Sequence, residues 1–132
     1  MVRVGGHAYG VPVTSVVEVV RMVALSPVPD GAPSMAGLAD LRGVAVPVVD
    51  LAARLGQVAR TPVVDRRIVV TGDPVAPFGL VVDDVAGVAP AGPPAEVGTQ
   101  LPMSPLVRQV VRIGEDMVMV LDEGALRPDG SA

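Results

Sequence analysis

The chain has 132 residues, enough for one compact domain or two very small ones and too few for a multidomain enzyme. Ten Arg against 14 Asp plus Glu, with no Lys, give a net charge of −4 and no basic stripe for nucleic acid, while the lack of Cys removes disulfides, thiolate zinc sites and cysteine nucleophiles. Half of the residues are apolar but only one Tyr and one Phe are aromatic, so the core falls to aliphatic side chains, above all 30 Val, whose β-branched shape predicts an all-β protein.

In chain order, short Val-rich runs closed by Gly, Pro or Asp predict strands at Met1–Val4, Tyr9–Val13, Val16–Val20, Val44–Val49, Ile68–Thr71, Phe78–Val82, Val85–Val88, Val107–Ile113 and Met117–Leu121. Gly5-Gly6-His7-Ala8 is the expected hairpin tip between the first two, which makes the lone His7 a solvated turn residue rather than a metal ligand. Two stretches rich in Pro and Gly, Ala24–Gly37 and Ala89–Pro105, predict long crossing loops. Asp50–Gly56 opens on an N-capping Asp and closes on Gly, predicting a short helix, and Asp122–Leu126 is a poorer copy. Both alternating sets in Met117–Leu121 are apolar, predicting a strand covered on both faces, with Gly114-Glu115-Asp116 as its hairpin turn. The longest uncharged run, Val4–Val17, has 14 residues and is broken by Gly and Pro. A spanning helix needs about 20 apolar residues, and the run lacks the basic start of a signal peptide, so the expected location is the cytoplasm.

An internal repeat organises these elements. Tyr9–Val19 lies over Phe78–Val88 at an offset of 69 residues, and Val46–Asp50 over Val118–Asp122 at an offset of 72. Two small β-barrels on one plan are expected, in halves near 1–65 and 66–132. Tyr9 and Phe78 precede the equivalent Gly10 and Gly79, which suggests an aromatic ring covering a strand glycine. Each half is too small to be secure alone, so the halves are expected to share a core or exchange strands. Asp50 and Asp83 are the conceivable acid pair for a small hydrolase, but one stands at a helix N-cap and the other at a strand bend. A chain without Lys also has no phosphate loop ending in Lys-Ser or Lys-Thr. The residues point to no enzyme, no metal and no cofactor.

Several segments carry a resemblance: Val16-Val17-Glu18-Val19, the Pro-rich Pro27–Pro33, Gly37–Leu51 with its Leu41-Arg42-Gly43 turn and Pro47-Val48-Val49-Asp50-Leu51 ending, Phe78–Asp83 followed by Val85 and Val88, and Gly114–Asp122. In this order, over almost the whole chain, they resemble the CheW-like family, adaptor domains of bacterial chemosensory arrays. The resemblance implies two five-stranded SH3-like barrels sharing one core, with short helices after strands. It also implies a non-enzymatic adaptor that couples the cytoplasmic hairpin tip of a chemoreceptor to the regulatory domain of a histidine kinase and meets the membrane only through receptors. Interface positions carried over are Val16, Glu18, Arg42 and Gly43, with Phe78 and Val85 in the second barrel. For Val16 the plain alternative is barrel core; for Arg42 it is an ion pair with Asp40 or Glu18. Pro47 suggests a strand with an edge or bulge free of ladder pairing. The chain starts inside what should be the first strand, lacks the longer C-terminal helix of many members, carries Asp40 where the family has Asn, and leaves no room for a fused kinase or receiver domain. A stand-alone adaptor is expected, monomeric by itself and joining the kinase domain end to end near Phe78–Val88. The alternative is a peptide-binding or structural β-barrel module outside chemosensory arrays.

Overall fold

The computed structural model describes residues 1–29, 31, 33–73, 75–90, 92, 94 and 104–128. Among the described residues, eleven strands run in chain order: β1 (Val2–Val4), β2 (His7–Gly10), β3 (Val16–Arg21), β4 (Leu25–Ser26), β5 (Met35–Leu41), β6 (Val44–Asp50), β7 (Arg67–Thr71), β8 (Phe78–Val82), β9 (Asp84–Val85), β10 (Val107–Ile113) and β11 (Asp116–Leu121). One helix, α1 (Leu51–Arg54), follows β6, capped by the Asp50 carboxylate, which accepts from the Ala53 N–H at 3.4 Å. The expected second helix is a single 3-10 turn at Gly124–Leu126.

Two sheets form, and neither follows one half of the chain. The first has the order β10-β11-β2-β1-β9 and the second β3-β7-β8-β6-β5-β4. Most neighbours are antiparallel hairpin partners, but two parallel pairings cross between the repeats: Val120 of β11 lies beside Gly10 of β2, and Val48 of β6 beside Gly79 of β8. Gly10 and Gly79 are equivalent at the offset of 69 residues, and Val48 and Val120 at the offset of 72, so the two pairings are copies of one another. Strand exchange is therefore the symmetric device that joins the halves.

Both sheets curl, as two SH3-like barrels require. Val20 of β3 packs in one cluster with Leu25 of β4 although those strands are opposite edges of the second sheet, around Ala39, Val48, Ile68, Val70 and Val81. In the first sheet Met1, just before β1, packs with Ile113 of β10 against Val111, Val118 and Val120. A third cluster lies between the barrels, where Val2, Val4, Tyr9 and Leu121 of one meet Val69, Phe78, Leu80 and Val82 of the other. This is the shared core.

Several local expectations change. The Ala24–Gly37 loop contains β4 and the start of β5, and β5 was hidden because Ala36, Gly37 and Asp40 carry no β-branched pattern; pairing with β6 imposes the strand. The strand expected at Val85–Val88 is only the two-residue β9, and Val88 is exposed. β11 is covered throughout on the Val118 and Val120 face but on the other face only at its end, where Leu121 enters the shared core while Met117 and Met119 are exposed; β8, between β7 and β6, is the strand buried on both along its whole length. Pro47 sits in an interior strand, opposite Leu38 and just before the parallel pairing with β8 begins at Val48. The gaps over Gly79 and Gly10 are filled by aliphatic groups, Ile68 and Val48 in one and Val120 in the other, while both aromatic rings go to the shared core. Most of the expected Ala89–Pro105 loop, residues 95–103 included, lies outside the described residues.

Candidate functional site

β3 is an edge strand, and one extra residue in it shapes the surface beside it. Val16 pairs with Thr71 and Glu18 with Val70, which leaves Val17 as a bulge. Strict alternation sends residues three apart to opposite faces. The bulge brings Val16 and Val19 to one side, where both line a groove of about 550 Å³ between the barrels. The facing wall repeats the device: in β10, Val107 pairs with Leu121 and Gln109 with Val120, so Arg108 is the extra residue. Arg108, Gln109, Val111 and Ile113 all line the groove. Its floor is the buried Val2, Val69 and Val120, and the exposed Val13 and Val88 stand at its rim. The Met1 amino group, at the same opening, donates to the Gly87 carbonyl at 2.7 Å, and partial burial lowers its pKa.

Glu18 takes the other side of β3, opposite Val70, and accepts from Arg42 Nη2 at 2.6 Å. Arg42 and Gly43 are the two-residue loop between β5 and β6, both with positive φ, 56° and 83°, as a tight type I′ hairpin demands. Arg42 is the only non-glycine residue with positive φ among the described residues. Its turn is held by Asp40 Oδ1, which accepts from the Gly43 N–H at 2.9 Å. Of the two anionic partners considered for Arg42, the structure selects Glu18, and the bridge ties the β3 edge to the β5–β6 hairpin. The Arg42 side chain remains 77% exposed against 28% for Glu18.

The six residues singled out from the sequence thus fall into three places. Val16 and Val85 line the groove; Glu18, Arg42 and Gly43 form a bridged corner at the second barrel; Phe78 is 1% exposed in the shared core, with the Arg127 guanidinium 5.7 Å from its ring centroid. Phe78 can shape a surface only from behind. Asp50 and Asp83 have structural duties: Asp83, 5% exposed, accepts from the backbone N–H groups of Gly5 at 2.9 Å and Arg60 at 3.2 Å, fastening the β1–β2 turn to the segment before β7. His7 opens β2 at the surface.

Sequence reading missed Val19, Arg108 and Gln109 as groove residues. The signal was present as a break in period: Val16 and Val19 are an odd spacing apart, and two adjacent polar residues interrupt Val107–Ile113. Both breaks mark bulges. Among the described residues no helix is long and apolar enough to cross a membrane.

Comparison with known proteins places this architecture. The crystal structure of the scaffolding protein TtCheW from Thermoanaerobacter tengcongensis superposes with a TM-score of 0.76 at 29% sequence identity, covering 93% of this chain and 82% of that one. A chemotaxis protein CheW of Rhizobium meliloti (strain 1021) is 34% identical over 86 residues, which is 65% of this chain and 56% of that protein, so the match spans little more than half of that relative. A probable chemotaxis protein CheW of Rhizobium etli is 28% identical over 129 residues, covering 94% of this chain and 83% of the relative. The family model for the CheW-like domain matches residues 1–129. With two barrels joined by exchanged strands and a match that runs through all of them, the chain belongs to the CheW-like domain family.

Proposed function

We propose that this domain is a non-enzymatic adaptor that couples chemoreceptor cytoplasmic hairpin tips to the regulatory domain of a histidine kinase. The observation that carries the reading is the apolar groove between the barrels, with Val16 and Val85 on its walls. Such a groove suits side chains projecting at i, i+3 and i+4 from one helix face, and membership in a family of chemotaxis scaffolds supplies the helix-bearing partner. Arg42 adds a polar contact, because only Nη2 is engaged by Glu18 and the rest of the guanidinium fork is open to a partner carboxylate. The proposed junction with the kinase domain lies near the Phe78–Val88 segment, at its exposed Asp84 and Ala86, which stand outside the groove lining. Two similar but unequal barrels favour that end-to-end contact over a closed two-fold dimer, leaving the isolated protein monomeric. On this reading the adaptor works in the cytoplasm, without a cofactor, and transmits receptor conformation as a coupling free energy between two binding sites.

Titration of a purified receptor hairpin against the wild-type chain and against Arg42→Ala tests the reading. Binding to the wild type is expected, with a loss on the order of 1–2 kcal/mol in the variant. An unchanged affinity removes Arg42 from the interface. If neither the hairpin nor the kinase regulatory domain binds the folded wild type, the adaptor reading fails.

A further inference from the structure

Arg108 is the one charged side chain among the described residues that line the groove, and the remaining walls are largely Val, Pro and Ile. It faces the groove because of the β10 bulge: without the extra residue, Arg108 and Gln109 would alternate across the sheet, and only Gln109 would share a face with Val111 and Val120. An inserted residue that places Arg108 beside Gln109 on the wall of a largely apolar groove, with the Met1 amino group at the same opening, constrains what can lie there. No carboxylate of the described residues lies within ion-pair distance of it.

From these observations we propose that Arg108 is a specificity-determining residue of the groove, pairing with an Asp or Glu set within the apolar face of the docked receptor helix. The inference rests on the reading of the groove as the receptor site and deepens it, since charge complementarity now narrows the partner. A helix with an uninterrupted apolar face leaves the Arg108 fork partly desolvated and unpaired, and one with a Lys or Arg at the facing position is repelled. A helix with a carboxylate there gains a charge-assisted hydrogen bond with the fork.

The test uses the full chain and a purified chemoreceptor cytoplasmic hairpin, titrated at several salt concentrations. Arg108→Ala is expected to weaken binding about tenfold or more, as lost hydrogen bonds to charged groups do, and to flatten the salt dependence. Arg108→Lys retains the charge without the fork and falls between. Arg108→Glu abolishes binding, and one hairpin variant with a single acidic residue changed to Lys restores it. Arg108 is exposed on its strand, so thermal midpoints of the variants should match the wild type; if Arg108→Glu does not fold, Arg108→Ala and Arg108→Lys decide. A hairpin that binds wild type, Arg108→Ala and Arg108→Glu alike overturns the role of Arg108 and leaves the groove as the receptor site. A hairpin that does not bind the wild type overturns both.

Discussion

Among the described residues, the two barrels share a plan but not a filling. The second sheet encloses Ala39, Val48, Ile68, Val70 and Val81, with Val20, Met22, Leu25, Ala36 and Leu41 packed around them. Among the described residues, the interior cluster of the first sheet is Val111, Val118 and Val120 with Met1 and Ile113. Its outer face leaves Met117 and Met119 in solvent. What holds the first sheet is the core between the barrels, where Val2, Val4, Tyr9 and Leu121 rest on Phe78, Leu80 and Val82. One barrel is thus a scaffold and the other a docked partner, and the groove opens along the seam between them. A binding event at the seam touches the contacts on which the lighter barrel depends.

Breaking the seam should have the largest effect. Phe78→Ala is expected to cost about 3–5 kcal/mol, the range for deleting a buried aromatic ring, read as a shift of the denaturant midpoint. Because both barrels pack on the same cluster, the wild type should unfold in one cooperative transition. Two resolved transitions in calorimetry would show that the barrels are independent and would defeat the comparison.

The repeat supplies a finer test at its two strand glycines. An added Cβ at Gly79 meets Ile68 Cγ2 at 2.7 Å and Val48 Cγ2 at 3.2 Å, whereas at Gly10 it meets Val120 Cγ2 at 3.1 Å and no other atom of the described residues nearer than 3.6 Å. Gly79→Ala should therefore destabilise by about 1–3 kcal/mol through overpacking. Gly10→Ala, in the looser barrel, should stay within about 1 kcal/mol because reduced freedom of the unfolded chain offsets the milder crowding. Equal losses in paired thermal melts would mean that the two barrels are packed alike.

The smallest effect is expected at the Glu18–Arg42 bridge. With Arg42 largely in solvent, the pair should contribute under about 1 kcal/mol to folding. A double-mutant cycle of Glu18→Ala and Arg42→Ala measures it, and a coupling well above that range would assign the bridge to holding the barrel closed rather than to binding.

How much of this was legible depended on whether neighbouring residues agreed with one another. The all-β class, the two-barrel plan and the capped helix at Asp50 were open to reading because Val runs, the Tyr9-Gly10 and Phe78-Gly79 pairs and the turn residues all pointed the same way. β5 was not, because its Ala, Gly and Asp residues become a strand only through β6. The groove was half visible. Val16 and Val85 came from the resemblance and do line the groove, but the two bulges are inserted residues that shift phase, and the face a side chain takes beyond a bulge depends on strand pairing. Phe78 was carried over as an interface position with the resemblance, and its ring lies in the shared core instead.

The crossed parallel pairings also set an order of events in time. β2 spans His7–Gly10 and its partner β11 spans Asp116–Leu121, so a strand made early in this domain waits for one made more than a hundred residues later. At roughly 5–20 residues per second on a ribosome, that wait lasts seconds. The first hairpin of the chain emerges early yet has its sheet completed last, and until then one edge of it stays unpaired. Loop closure over such a separation is slow compared with hairpin formation. The heavier barrel faces a shorter delay, since β6 and β8 are separated by fewer than thirty residues. The topology thus makes the scaffold barrel first and the docked barrel second, and the seam that forms the groove is the last part of the molecule to come into being.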